Sequence, residues 1–196
     1  MQRYLDASRL MLCAAKGEDV KFKSVHDHQA ALDSLNREIR NFTSTVFQPG
    51  LSPQQADLVA SLIEEEDFCA SLGETLYQIA RRAERHPFGS EALNKVEVIV
   101  ELVERAVAER LDHPAPHGNS AAAMQPIQAM RQNIVTSTSL PAEDRGALLA
   151  LLGSAERAFF LAERIQSERA SVSREVAAPA PAERPLSSGM LAPQGT

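Results

Sequence analysis

The chain has 196 residues, 44% of them hydrophobic, and a formal net charge of −6 at pH 7. This length allows one domain, or two small ones, with a buried core, and a composition rich in Ala, Leu, Glu and Arg without Trp favours helices. The negative charge argues against a nucleic-acid-binding protein, and no stretch approaches the roughly 20 apolar residues of a membrane-spanning helix, so we expect a soluble cytoplasmic protein.

Six helices are predicted from apolar side chains that recur every three or four residues. In chain order they cover about Leu5–Ala15, Glu18–Phe47, Ser52–Arg85, Ser90–Leu111, Ala121–Val135 and Leu140–Val172. The breaks between them contain Pro or Gly, which interrupt helices, and fall near Gln48–Leu51, His86–Gly89 and Asp112–Asn119.

The third predicted helix has the clearest start. Ser52 is suited to cap it, Pro53 to occupy its first turn, and Gln55 to complete a capping box. Its apolar residues form one stripe that we expect to be buried, namely Leu58, Leu62, Leu72, Leu76 and Ile79.

Two parts of the chain repeat a similar helical pattern, residues 51–80 and residues 140–165. Self-similarity at this scale indicates a duplicated supersecondary unit. We therefore predict an all-α protein with two antiparallel three-helix bundles in tandem, over residues 1–87 and 88–173, with separate cores laid end to end. The Pro-, Ala- and Ser-rich residues 174–196 are predicted to form a disordered tail.

Other groups of polar residues suggest chemistry less strongly. The four consecutive acidic residues Glu64–Asp67 point in different directions around a helix, so they cannot all face one metal ion. We therefore interpret them as ordinary solvent-exposed charges and not as a metal site. Zinc binding by His26, His28, His113 and His117 is an alternative without the usual ligand spacing. Since no phosphate-binding glycine loop or nucleophile–base arrangement is present, no catalytic activity is expected.

Four segments of the first half resemble PhoU-like domains in order and spacing, namely Leu32–Ile39, Leu51–Ala56, Ala70–Ile79 and Phe88–Leu93. These domains occur as free phosphate-uptake regulators and as the cytosolic C-terminal region of bacterial sodium/phosphate cotransporters. The resemblance covers about residues 5–173, is stronger in the first half, and is closer to the cotransporter version. It implies a tandem helical-bundle fold and a role in phosphate uptake.

The resemblance also implies positions for metal ligands. In that family, acidic pairs four residues apart on one helix face bind clustered metal ions. This chain keeps one carboxylate of each pair, namely Asp33, Glu74 and Glu156. The other position of each pair, four residues away, holds Gln29, Ala70 and Phe160 respectively. Because isolated carboxylates bind hard cations weakly, we expect no cofactor, and a divalent-metal site on Asp33, Glu74 and Glu156 is the alternative.

By this resemblance, the chain is predicted to be a non-catalytic module that regulates phosphate uptake or is coupled to it. Its partner would be a phosphate transporter or the transporter's membrane portion, reached at the inner membrane without insertion into lipid. The predicted contact face is the exposed side of the second and third helices, around Arg37, Arg40, Glu64 and Glu65. The alternatives are a homodimer, and a generic helical-bundle scaffold or dimerisation module with no phosphate role.

Overall fold

The computed structural model describes residues 25–46, 50–112 and 120–177, which form five α-helices without a strand. The helices are α1 (Val25–Val46), α2 (Pro53–Arg85), α3 (Ser90–Asp112), α4 (Ser120–Thr136) and α5 (Ala142–Ala177). The predicted all-α class is confirmed for this part of the chain. The predicted first helix lies outside the described residues, as do residues 18–24 and 47 of the predicted second helix and residues 113–119 of the predicted break at Asp112–Asn119. So do residues 178–196 of the predicted tail, whereas residues 174–177 belong to α5.

The start of α2 matches the prediction from local sequence. The Ser52 N–H donates to Gln55 Oε1 at 2.9 Å, and the Gln55 N–H donates to Ser52 Oγ at 3.3 Å, with Pro53 in the first turn. Just before this cap, Gly50 has a φ of 124°, a left-handed conformation that other residues rarely adopt. The predicted capping box is therefore confirmed.

Helix α5 lies at the centre of the described bundle. Its most extensive contacts are with α2, followed by α3 and α4. Hydrogen bonds from Arg82 to the Ala150 carbonyl and from Arg169 to Glu65 show that α5 runs antiparallel to α2. With 33 residues in α2 and 36 in α5, the two helices are about 50 and 54 Å long, so the bundle is elongated.

The buried apolar side chains form one continuous core to which all five helices contribute. Its largest fully buried members are Leu76, Ile79, Ile99, Ile127, Ile134, Leu148, Leu151, Leu152, Ile165 and Val100. Because α2 belongs to the first predicted unit and α5 to the second, their packing makes the core continuous across the predicted boundary at residues 87/88. The described helices therefore do not have two separate cores laid end to end.

The predicted stripe of α2 is correct in its second half only. Leu72, Leu76 and Ile79 are at most 4% exposed, but Leu62 is 44% exposed and Leu58 is partly exposed. The burial predicted for Leu62 is wrong because this side chain lines a groove whose described walls come from α1 and α2. None of the described helices combines the length and apolarity needed to cross a lipid bilayer.

Candidate interaction surface on α1 and α2

Two of the predicted metal-site carboxylates are brought together by an amide. Gln29 Nε2 on α1 donates to Asp33 Oδ1 at 2.9 Å and to Glu74 Oε2 on α2 at 3.2 Å. Gln29 occupies the position where the resemblance implies an acidic partner. Its amide group supplies to the two carboxylates the partial positive charge that a cation would otherwise provide.

The third predicted carboxylate belongs to a different contact. Glu156 on α5 pairs with Arg131 on α4, with 2.7 Å between Oε1 and Nη2. Among the described residues, no group of three or more His, Cys, Asp or Glu side chains is placed to hold a metal ion. Glu156 is thus engaged by Arg131, and the expectation that the chain holds no metal stays a prediction.

Three of the four predicted partner-binding residues lie on an exposed surface of α1 and α2. Arg40 is 60% exposed and reaches from α1 to α2, where it pairs with Asp67 at 2.6 Å and with Glu66 at 3.3 Å. Arg37 and Glu64 are also exposed. We call Arg37, Arg40, Glu64 and Asp67 the charged ridge.

Glu65, the fourth predicted residue, does not belong to the charged ridge. It is 14% exposed and accepts a hydrogen bond at 2.9 Å from Arg169 Nε on α5. Arg169 also donates to the Leu111 carbonyl at the end of α3, at 2.9 Å. Successive helix residues point about 100° apart, so Glu64 can face solvent while Glu65 faces the bundle, where Arg169 links α2, α3 and α5.

An apolar groove lies beside the charged ridge. We call it the α1/α2 groove. Its walls are formed by Ile39, Phe42, Thr43, Val46, Val59, Leu62, Glu65, Glu66 and Cys69. Phe42 and Leu62, which are 70% and 44% exposed, make its rim apolar. This surface was not predicted from the sequence, because Leu62 was assigned to the buried stripe of its helix.

Cys69 forms part of the inner wall of the groove. Burial raises the pKa of its thiol to about 12, with the nearby Glu65 adding to the effect. The thiol is therefore protonated at neutral pH and behaves as a small apolar group. Cys13, the other cysteine of the chain, lies outside the described residues.

The groove also contains a buried carboxylate that is incompletely paired. Glu66 is 8% exposed; its Oε2 pairs with Arg40, but its Oε1 accepts no hydrogen bond from any described residue. Burial raises the pKa of Glu66, although the hydrogen bond and charge of Arg40 act in the opposite direction. Glu66 is therefore a buried acceptor that the described part of the chain leaves half satisfied.

A second polar contact holds residues 86–89, the connection between α2 and α3, against α5. His86 Nε2 lies 2.8 Å from Asp144 Oδ1, and the Gly89 N–H donates to Asp144 Oδ2 at 3.3 Å. Asp144 is 6% exposed and lies in the first turn of α5. Sequence reasoning identified the break but had no local signal for its partner 55 residues later.

Comparison of the chain with protein-family models, with curated proteins and with solved structures finds no match. The resemblance to PhoU-like domains therefore stays a prediction from the sequence, and the surface on α1 and α2 has to be interpreted from its own geometry.

Proposed function

We propose that this protein is a non-catalytic module at the cytosolic face of the inner membrane that regulates phosphate uptake or is coupled to it. It acts by presenting the charged ridge to a phosphate transporter. The observation that carries the proposal is the exposed pair of Arg40 and Asp67, which puts charges of both signs on the outer side of α1 and α2. The all-helical architecture agrees with what the sequence resemblance implies.

The electrostatics of the chain favour a protein partner over a lipid one. Cytosolic loops of membrane proteins carry an excess of Lys and Arg, which the net charge of −6 attracts. The same charge is repelled by anionic lipid headgroups. Exposed ion pairs contribute only about 0–1 kcal/mol to stability, so Asp67 can exchange its pair with Arg40 for a pair with a partner at little cost.

The tandem arrangement of two three-helix units, over residues 1–87 and 88–173, is part of this proposal, as two units that share the continuous core. It is supported by two helix pairs of the same kind. Helices α1 and α2 are joined through a short connection, and so are α4 and α5, and a polar side chain bridges each pair, Gln29 in the first and Arg131 in the second.

The second candidate is a helical-bundle scaffold or dimerisation module with no role in phosphate uptake. The exposed rim of the α1/α2 groove favours it, because contiguous apolar surface on a soluble protein often marks an interface. A homodimer whose formation is independent of membranes would support this candidate over the first.

The test is a pull-down from membranes of the source cell with the full chain as bait. Recovery of a phosphate transporter is expected. The combined reversals Arg37→Glu and Arg40→Glu should abolish recovery, whereas Arg105→Glu, at an exposed position on α3, should not. Recovery should also fall as salt rises, because at 0.1 M salt exposed charges are screened beyond about 10 Å.

Binding to protein-free anionic vesicles as tight as binding to native membranes would contradict the proposal. So would recovery that is equal for the double reversal and for the α3 control. Circular dichroism of each variant shows whether the helices are intact.

A further inference from the structure

Within the part of the chain that the structure describes, α1 is packed on one side only, which leaves the α1/α2 groove open. Among the described helices, the only extensive contacts of α1 are with α2. The two helices run antiparallel, as the contacts of Gln29 with Glu74 and of Arg40 with Glu66 show. Two antiparallel helices form a channel along their length, and here the channel has an apolar floor and the apolar rim of Phe42 and Leu62.

The size of the groove suits a helix. On α2 its wall extends from Val59 to Cys69, a rise of about 15 Å at ~1.5 Å per residue. That length accommodates roughly three turns of a helix, which is the length over which helix-in-groove partners present apolar residues at i, i+3, i+4 and i+7.

Glu66 restricts the chemistry of what can bind. The buried side-chain acceptors that lack a partner among the described residues are Gln29 Oε1, Asn36 Oδ1 and Glu66 Oε1, and all three lie on α1 or α2. Of these residues, Glu66 lines the groove. An acyl chain or another purely apolar occupant would leave its carboxylate oxygen without a donor, which is unfavourable for a buried charged group.

Charge disfavours a second copy of the same face. Arg40 is already shared between Glu66 and Asp67, and Arg169 already pairs with Glu65 of the groove wall. Two copies packed groove to groove would bring the acidic residues of both walls together while these two cations stay engaged. An occupant with its own Arg or Lys would instead find an acceptor at Glu66 and an acidic neighbour in Glu64.

We propose that the α1/α2 groove binds one amphipathic helix of another protein. The apolar row of that helix packs between Phe42 and Leu62, and an Arg or Lys beside the row donates to the Glu66 carboxylate once its buried Oε1 has turned toward the groove. This inference does not depend on a role in phosphate uptake, since it rests on the apolar groove and on Glu66 and not on binding of the charged ridge to a transporter.

The probe is a synthetic helical peptide of roughly 14 residues, with leucines at i, i+3, i+4 and i+7 and one Arg beside them. A matched peptide carries Gln in place of the Arg. Binding to the full chain is measured by isothermal titration calorimetry. Because a hydrogen bond to a charged group is worth about tenfold in affinity, we expect the Arg peptide to bind roughly tenfold more tightly. In the Glu66→Gln variant this preference should disappear.

Two exposed phenylalanines provide the matched variants. Phe42→Ser should abolish binding of the Arg peptide, whereas Phe160→Ser, at a position on α5 that is 57% exposed, should leave it unchanged. Since Phe42 is 70% exposed, its replacement should not unfold the chain, which circular dichroism verifies.

Three outcomes would overturn the proposal. The first is equal binding of the Arg and Gln peptides, or binding of neither. The second is a homodimer that Phe42→Ser dissociates, which would make the groove an interface between copies. The third is a Phe42→Ser variant that melts several degrees below Phe160→Ser, which would mean that another part of this chain already covers the groove.

Discussion

Single polar residues between α1 and α2 show how one substitution changes what a site can do. Gln29 satisfies both Asp33 and Glu74, so these two carboxylates already have an internal donor. Glu66, also on α2, pairs with Arg40 through one carboxylate oxygen, whereas its other oxygen accepts no hydrogen bond from a described residue. The first arrangement stabilises a contact between helices, and the second leaves an acceptor for something else.

The raised pKa of Glu66 predicts a pH-dependent stability. Burial raises this pKa above the ordinary value of 4.5, so the folded state holds the proton more tightly than the unfolded chain does. This contribution favours folding at pH values below 4.5 and is lost as the pH rises through the folded pKa. Across this window, we expect the free energy of unfolding of the wild type to fall relative to that of Glu66→Gln, measured by urea denaturation at several pH values.

Glu64→Gln is the control, because Glu64 is an exposed carboxylate on the same helix. This variant makes the same Glu→Gln change at a position that is not buried. If Glu66→Gln gives a pH profile parallel to that of the wild type, the carboxylate titrates as an ordinary exposed acid and the interpretation is wrong.

At the scale of the helix, local interactions determine where α2 starts, whereas packing against α5 determines which of its apolar side chains are buried. Its start follows from Ser52, Pro53 and Gln55, which act within one turn, so the sequence was sufficient to predict it. Which part of its apolar stripe is buried depends on where α5 lies, and α5 is distant in the chain. For that reason the stripe was assigned correctly at Leu72 and wrongly at Leu62.

Two truncations within that stripe should have different costs. Leu72→Ala removes a side chain that is 4% exposed, and we expect it to lower the free energy of unfolding by about 2–5 kcal/mol through lost burial and the cavity that remains. Leu62→Ala, at 44% exposure, should cost less than about 1 kcal/mol. Chemical denaturation measures both, and equal costs would show that the two positions are equally buried.

The candidate site could be predicted from the sequence only in part, for the same reason. The exposed positions Arg37 and Arg40 follow from their place on the polar face of an amphipathic helix. The burial of Glu65 against Arg169 joins residues 104 positions apart, and no periodicity signals such a pair. The groove itself requires knowledge that α1 packs on α2 without a further described neighbour.

At the scale of the whole molecule, α5 is fastened near both ends. The Asp144 carboxylate holds the segment between α2 and α3, and Arg169 holds Glu65 of α2 and the last turn of α3. Helix α3 therefore runs parallel to α5 while α2 runs antiparallel to it. These contacts, together with the continuous core, join the two halves that the sequence suggested as separate units.

A joined core predicts one cooperative unfolding transition. Because neither half can keep its apolar surface buried without the other, differential scanning calorimetry should show a single peak whose calorimetric and van't Hoff enthalpies agree. Asp144→Ala should move that peak to lower temperature as a whole, since it removes a buried hydrogen-bonding partner. Two resolved peaks, with only one of them shifted, would instead favour two independent units.

The central position of α5 also has a consequence for synthesis on the ribosome. Arg82 bonds to Ala150, 68 residues later, and Glu65 pairs with Arg169, 104 residues later. Because translation adds about 5–20 residues per second, the whole of α5 is synthesised roughly 5–20 s after the end of α2. During that interval the apolar faces of α2 and α3 lack their main cover, so the nascent chain passes through a stage in which chaperones, or other nascent chains, compete with α5 for the same surface.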